Sequence, residues 1–236
     1  AITWNLGPNT VLNYEAEFIR IRTPLDRGIV QVNGNAGALP RDRYLGDPSR
    51  NNLHVNGDTH QFTLDHDLGQ GWRTRVGASY RETDLYGEAV DLTGTLQADG
   101  RTLTRRDSWR SLPARDTSVQ AEVEGKLQTG GLRHTVLAGV ESWRLYMGQD
   151  IRYSTLASQP FAIDIHNPTY GQAPGNLTPG FDTRDRQRAT GLFVQDQMDL
   201  SERWKLLAGV RFDRYHQDYE NRLASTVQTQ SHSAAT

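Results

Sequence analysis

Residues 191–215 read GLFVQDQMDLSERWKLLAGVRFDRY. Apolar and polar residues alternate up to Leu200, stop at Ser201-Glu202-Arg203, and alternate again from Trp204. Period-two alternation broken by a short polar turn is the mark of two antiparallel strands. On the second strand Trp204, Leu206, Ala208, Val210 and Phe212 share one face, and Lys205, Leu207, Gly209, Arg211 and Asp213 share the other. The fold turns on what lies against the oily face.

The same period recurs elsewhere. Leu12, Tyr14, Ala16 and Phe18 oppose Asn13, Glu15 and Glu17; Trp72, Thr74, Val76, Ala78 and Tyr80 oppose Arg73, Arg75, Gly77, Ser79 and Arg81; Val119, Ala121, Val123 and Leu127 oppose Gln120, Glu122, Glu124 and Lys126. Residues 132–148 are partly apolar on both faces, Asp196 interrupts the oily face of 188–200, and 54–66 is the most polar strand. Short turns at 6–9, 67–71, 128–131 and 201–203 alternate with long connections at 23–53, 87–112 and 149–187, the middle one a tall hairpin folded at Ala98-Asp99-Gly100. This predicts an all-β, antiparallel up-and-down sheet of about eight strands in one domain over 1–236, the first strand cut short.

Composition narrows the setting. The chain has 236 residues, 36% apolar, with a net charge of −2, which argues against a nucleic-acid partner. It has no cysteine, so thiolate metal sites and cysteine nucleophiles are excluded. No run approaches the ~18 apolar residues of a spanning helix. An oily strand face can pack on a soluble core or face lipid in an outer-membrane barrel whose lumen is wet. Three features favour the barrel. Charges repeat on the polar faces. Trp4, Trp72 and Trp204 stand beside short turns while Phe18, Tyr80, Phe212 and Tyr215 recur toward the far strand ends, as in interfacial aromatic belts. The strands exceed the ~5–6 residues usual in soluble sheets. A soluble carbohydrate-binding β-sandwich requires instead that the three tryptophans be buried or line a groove.

At this point the residues resemble a known family. The stretch 191–215 looks like the paired strands of TonB-dependent siderophore receptors, in which G-x-Y/F-x-Q-D-Q leads through a short turn to R-W-x-x-L-x-G-x-R-x-D. AITWNLGPNTVLNYEAEF (1–18), TPLDRGI (23–29), LPRDRYLGDPS (39–49), HTVLAGVES (134–142) and DIHNPTYG (164–171) resemble further segments in the expected order. The resemblance, nearest to the ferrichrome and hydroxamate branch, implies a plugged barrel of about 22 strands in the outer membrane of a Gram-negative bacterium. Its implied partners are a ferric siderophore, outer-membrane lipid and, through a plug, the TonB complex. The chain is expected to be a barrel segment truncated at both ends, without plug or TonB box.

Such a receptor holds its cargo by the organic shell, so no cofactor, resident metal or catalytic residue is expected. The loop aromatics Trp109, Tyr146, Tyr153, Phe161 and Tyr170 are the candidate ligand contacts, against the plainer reading that they form an upper girdle or pack the loops. Arg101, Arg105, Arg106 and Arg110 could attract an anionic ligand or lipid phosphates, or form a solvated strand face. Asp26-Arg27 and Arg41-Asp42-Arg43 are read as loop braces. His54, His60 and His66 fall on one strand face but about 20 Å apart per pair, too far to share an ion. An outer-membrane barrel enzyme would need a Ser/His or Asp/His grouping at the mouth, and neither G-x-S-x-G nor H-E-x-x-H occurs.

Overall fold

The computed structural model describes residues 1–154 and 161–236. Residues 155–160, within the long connection read over 149–187, lie outside the described residues. The chain forms a single antiparallel sheet. In chain order the strands are β1 (Ile2–Gly7), β2 (Thr10–Thr23), β3 (Asn52–Gly69), β4 (Trp72–Leu96), β5 (Thr102–Thr129), β6 (Leu132–Tyr153), β7 (Ile163–Asp164), β8 (Thr178–Asp199), β9 (Lys205–Asn221) and β10 (Thr226–Ala235). Each pairs with its sequence neighbour, except that β6 pairs with β8 and the two-residue β7 adds to the far end of β5. The up-and-down reading is borne out. The count rises from about eight to ten through β7 and β10, which sequence reading missed.

Strand length is the next difference. β4 and β5 run 25 and 28 residues and are the tall hairpin, turning where the Gly100 amide bonds the Gln97 carbonyl. β6 and β8 reach Tyr153 and Thr178, so that connection is shorter than 149–187. β3, the most polar strand, is 18 residues long because continuous pairing with β2 and β4 satisfies its backbone.

Register fixes the faces, since residues paired across antiparallel strands point the same way. One row reads Trp4, Leu12, Leu64, Val76, Ala121, Val140, Leu192 and Phe212 across eight strands. These residues have no opposing layer. Phe18, Val119, Leu192, Val194, Leu206, Val210 and Phe212 are all more than 40% exposed. Trp204 is 73% and Trp4 42% exposed, against the sandwich expectation of buried indoles. Trp72 is half-buried because its ring lies over Gly125 of β5, where a Cβ would come within 2.1 Å of it. Asp196 falls on this apolar face, and His134 Nδ1 bonds it at 2.7 Å. Tyr215 corrects the belt reading: it lies on the opposite face, beside Trp143 with ring centroids 6.3 Å apart.

The compact apolar cluster is elsewhere. Leu39, Leu45, Leu103, Ile163 and Ile165 are buried together at the long-loop end of the sheet.

Candidate functional site

The polar face is a wall of ion pairs. Arg75 reaches Asp65 on β3 at 2.7 Å and Arg73 reaches Glu124 on β5 at 2.8 Å. Arg211 on β9 binds its own neighbour Asp213 at 2.7 Å and extends across β8 to Glu141 on β6. It can do so because Gly191 lies between Glu141 and Asp213 in register; a Cβ there would stand 2.4 Å from the Arg211 guanidinium. Charged groups with this exposure need water beside them, so this face suits a wet lumen and the other face suits lipid.

Above this wall the three long connections pack as one body around Arg105. Its guanidinium donates to the carbonyl oxygens of Phe161 (2.9 Å), Leu45 (3.3 Å) and Gly46 (2.6 Å) and to the Gln172 side chain (3.1 Å), while lying 4.6 Å from the Phe161 ring. Arg105 is 1% exposed, and burial pushes its pKa below the usual arginine range against the opposing pull of Asp47. Asp47 is itself fully buried and caps a short 3-10 turn at Pro48–Arg50. Burial alone would raise its pKa, but donors on Ser49 and the Gly171 amide, with Arg105 nearby, hold it below the usual carboxylate range. Asp107 is the opposite case. It is 1% exposed, and burial lifts its pKa to about 6 although Arg50 pairs with it at 3.1 Å. At the rim Asp164 accepts from Arg101 at 2.7 Å and from the amides of His166 and Asn167, which hold its pKa down to about 2.

Each of the four loop arginines has a partner within the chain. Arg101 is paired with Asp164, and Arg105 is the buried clasp. Arg106 stacks on Tyr153 at 3.8 Å, and Arg110 pairs with Asp91 at 3.0 Å. Arg27 does brace its loop, through the other oxygen of Asp91 at 2.7 Å. The histidines are each satisfied singly: His66 by Thr10, His60 by Tyr14, and His54 stacked on Tyr86.

The five candidate aromatics do not meet at one point. By register Trp109 and Tyr146 lie on the face of the apolar band, stacked with Arg152 (5.3 Å) and Arg186 (5.9 Å). Tyr153 lies on the polar face between Arg106 and Phe181. Phe161 is fully buried under Arg105. Tyr170 is 39% exposed, and its hydroxyl donates to the Tyr44 carbonyl at 2.8 Å. Sequence reading missed Asp47, Arg50, Asp107 and Gln172. Asp47-Pro48-Ser49 was a capping signal, whereas nothing local marks Asp107 or Gln172.

A single sheet with an exposed apolar face, a charged opposite face and elaborated loops at one end defines the wall of a membrane β-barrel. Comparison with known proteins specifies the class: residues 3–236 match the family model "TonB dependent receptor-like, beta-barrel", and the chain belongs to that family. It is 37% identical over its whole length to the metal-pseudopaline receptor CntO of Pseudomonas aeruginosa, and covers 34% of that protein. It is 23% identical to the ferrioxamine B receptor of Salmonella typhimurium, with 91% of the chain and 30% of the relative covered. The chain thus spans about a third of the length of the curated relatives it matches. Among solved structures, the siderophore receptor PiuA of Acinetobacter baumannii superposes with a TM-score of 0.79 at 16% identity. That match covers 99% of this chain and 37% of PiuA, and it speaks for the fold. These relatives are named as receptors rather than enzymes.

Proposed function

We propose that this chain is barrel wall and loop cluster of an outer-membrane receptor that imports a metal-loaded siderophore with energy supplied through the TonB complex. The observation that carries the reading is the 37% identity to a metal-pseudopaline receptor along the whole chain, joined to the family match. That identity exceeds the 23–25% shared with ferrioxamine and ferrichrome receptors. We therefore favour a metal–pseudopaline-type complex as cargo over the hydroxamate branch that the sequence motifs suggested.

Within the loops the binding role falls to side chains that reach open space. Tyr153 with Arg106 presents an aromatic plane and a cation on the lumen side, groups able to contact the organic shell of a metal chelate. Tyr170 is exposed in the connection after β7. Trp109 and Tyr146 contribute by fixing the outward side of the same strands, and Phe161 by holding the loops through Arg105. The test is uptake of radiolabelled metal by a receptor-deletion strain carrying the full-length receptor, supplied with a pseudopaline-type chelator or with ferrioxamine. Tyr153→Ala is expected to cut uptake of the first about tenfold, a loss typical of one aromatic contact of ~1.4 kcal/mol. Uptake of ferrioxamine alone would return the hydroxamate reading, and no uptake of any metal chelate would end the transport proposal.

A further inference from the structure

Along the ion-pair wall, carboxylates have arginine partners: Asp65 with Arg75, Glu124 with Arg73, and Glu141 and Asp213 with Arg211. Asp185 on β8 differs. Pairing is unbroken between it and Gly191, so it shares the polar face of Glu141 and Asp213 and stands nearer the long loops. Its neighbours in the row are Met147 on β6 and Tyr219 on β9. The arginines flanking it on β8, Arg184 and Arg186, alternate to the outward face, where Arg186 faces Glu220 and stacks on Tyr146. Among the described residues no cation pairs with Asp185, and its oxygens accept from amides alone.

Those amides are themselves held. Gln217 Nε2 lies 2.8 Å from both Asp185 oxygens, and Gln187 Nε2 lies 2.8 Å from one of them. The Gln217 amide oxygen accepts in turn from the Tyr215 hydroxyl at 3.1 Å and from the Gln230 side chain. The donors therefore run one way, from Tyr215 and Gln230 through Gln217, and end on the carboxylate. Neutral donors satisfy its oxygens without cancelling its charge. Asp185 is half-buried, and a cation beside it offsets the desolvation that the carboxylate bears. Two rows below, Trp143 and Tyr215 approach each other across Ala189, with ring centroids 6.3 Å apart. A fixed carboxylate above aromatic rings suits an ammonium or guanidinium group, held by charge and by cation–π attraction.

We propose that Asp185 is a specificity determinant of the lumen wall: it reads a cationic group on the metal chelate and disfavours chelates that present only anions there. Gln187 and Gln217 are positioning residues that aim its oxygens. The inference rests on the import reading above.

The test uses the purified full-length receptor in neutral detergent and isothermal titration calorimetry. The probes are a metal-loaded pseudopaline-type chelator carrying a pendant aminoethyl group, either free and cationic or N-acetylated and neutral, and the same pair built on ferrioxamine. For whichever chelate binds, the cationic form is expected to bind about tenfold more tightly than the acetylated one, as for one charge-assisted hydrogen bond. Asp185→Asn is expected to bring the two within about twofold by weakening the cationic form alone, and Asp185→Glu to restore part of the preference. The wild-type comparison needs no variant, so it survives a folding defect. Equal binding of the two forms by the wild type overturns the proposal while leaving import intact. A preference that persists in Asp185→Asn assigns it to another group and also overturns the proposal. Equal weakening of both forms in that variant does the same, since Asp185 would then hold another part of the receptor rather than the cargo. If none of the four probes binds, the import reading itself fails, and this proposal with it.

Discussion

The sheet wall and the loop clasp invert each other. In the wall, large apolar side chains such as Leu206, Val210 and Phe212 are exposed, and arginines such as Arg211 are held in surface ion pairs. In the clasp, leucine and isoleucine are buried around one arginine that is itself buried. One chain therefore carries two cores of opposite sense. The loop end completes its own core and expects water outside. The wall leaves its apolar side open and expects lipid to finish it. A soluble fold would not maintain the first arrangement beside the second.

The sharpest way to break the comparison is at Arg105. Replacing it with alanine in the full-length receptor leaves three carbonyl oxygens and the Gln172 amide oxygen without their donor. Each orphaned acceptor costs about 1–3 kcal/mol, so the clasp is expected to lose about 3 kcal/mol or more. Hydrogen exchange should rise in 39–47 and 161–172 while the strands below stay protected. If exchange rises equally along β8 and β9, the clasp and the wall are a single unit.

Next comes the wall. Val210→Arg puts a cation in the middle of the apolar band and is expected to cost about 2–4 kcal/mol in a bilayer. Its register partner on β8 has Gln195 as chain neighbour on the opposite face, and Gln195→Arg should cost under about 1 kcal/mol. Urea titrations of folding into vesicles compare the two. Equal costs would mean that the faces do not see different media.

How much of this was readable from the residues follows from the same contrast. Alternation is a local property, so Leu206 to Phe212 and Trp72 to Tyr80 could be assigned to a face, and short turns such as 201–203 to one end. The clasp was not readable, because Leu45, Leu103, Arg105, Phe161 and Gln172 meet from three connections far apart in sequence. Arg105 within the run 101–110 has the same composition as an exposed strand face, and only the docking of two loops buries it. β10 was missed for another reason: TVQTQSHSAA is weakly apolar, and pairing with β9 rather than side-chain burial makes it a strand.

A smaller effect probes how the inner wall is assembled. Gly191→Val thrusts a side chain into the path of Arg211 toward Glu141. Overpacking of this kind costs about 1–3 kcal/mol. Glu141→Gln should cost less, since exposed ion pairs contribute about 0–1 kcal/mol. A double-mutant cycle between the two positions, read by the same vesicle titration, should show that the second change adds little once the first is made. Full additivity would mean that Arg211 does not need the gap over Gly191.

A last effect separates the two regions by pH. Asp107 has its pKa raised to about 6 by burial, above the ordinary carboxylate value near 3.8. The folded clasp then binds a proton more tightly than the unfolded loops do. Its stability should rise as pH falls from about 6 to about 4, and be lower at neutral pH where the buried carboxylate is ionised. Asp164 works in the opposite sense, but its window lies lower, between 3.8 and about 2, so the two do not overlap. The exchange protection of Ser154, whose amide bonds the Asp107 carbonyl at 3.0 Å and whose hydroxyl accepts from the Asp107 amide, reports on the site directly. After correction for intrinsic exchange, it should increase by up to about tenfold per pH unit on acidification across that interval. Asp107→Asn should flatten the dependence while leaving the amides of β8 and β9 unchanged. A pH response that persists in the variant would assign the titration to another group and leave Asp107 a plain partner of Arg50.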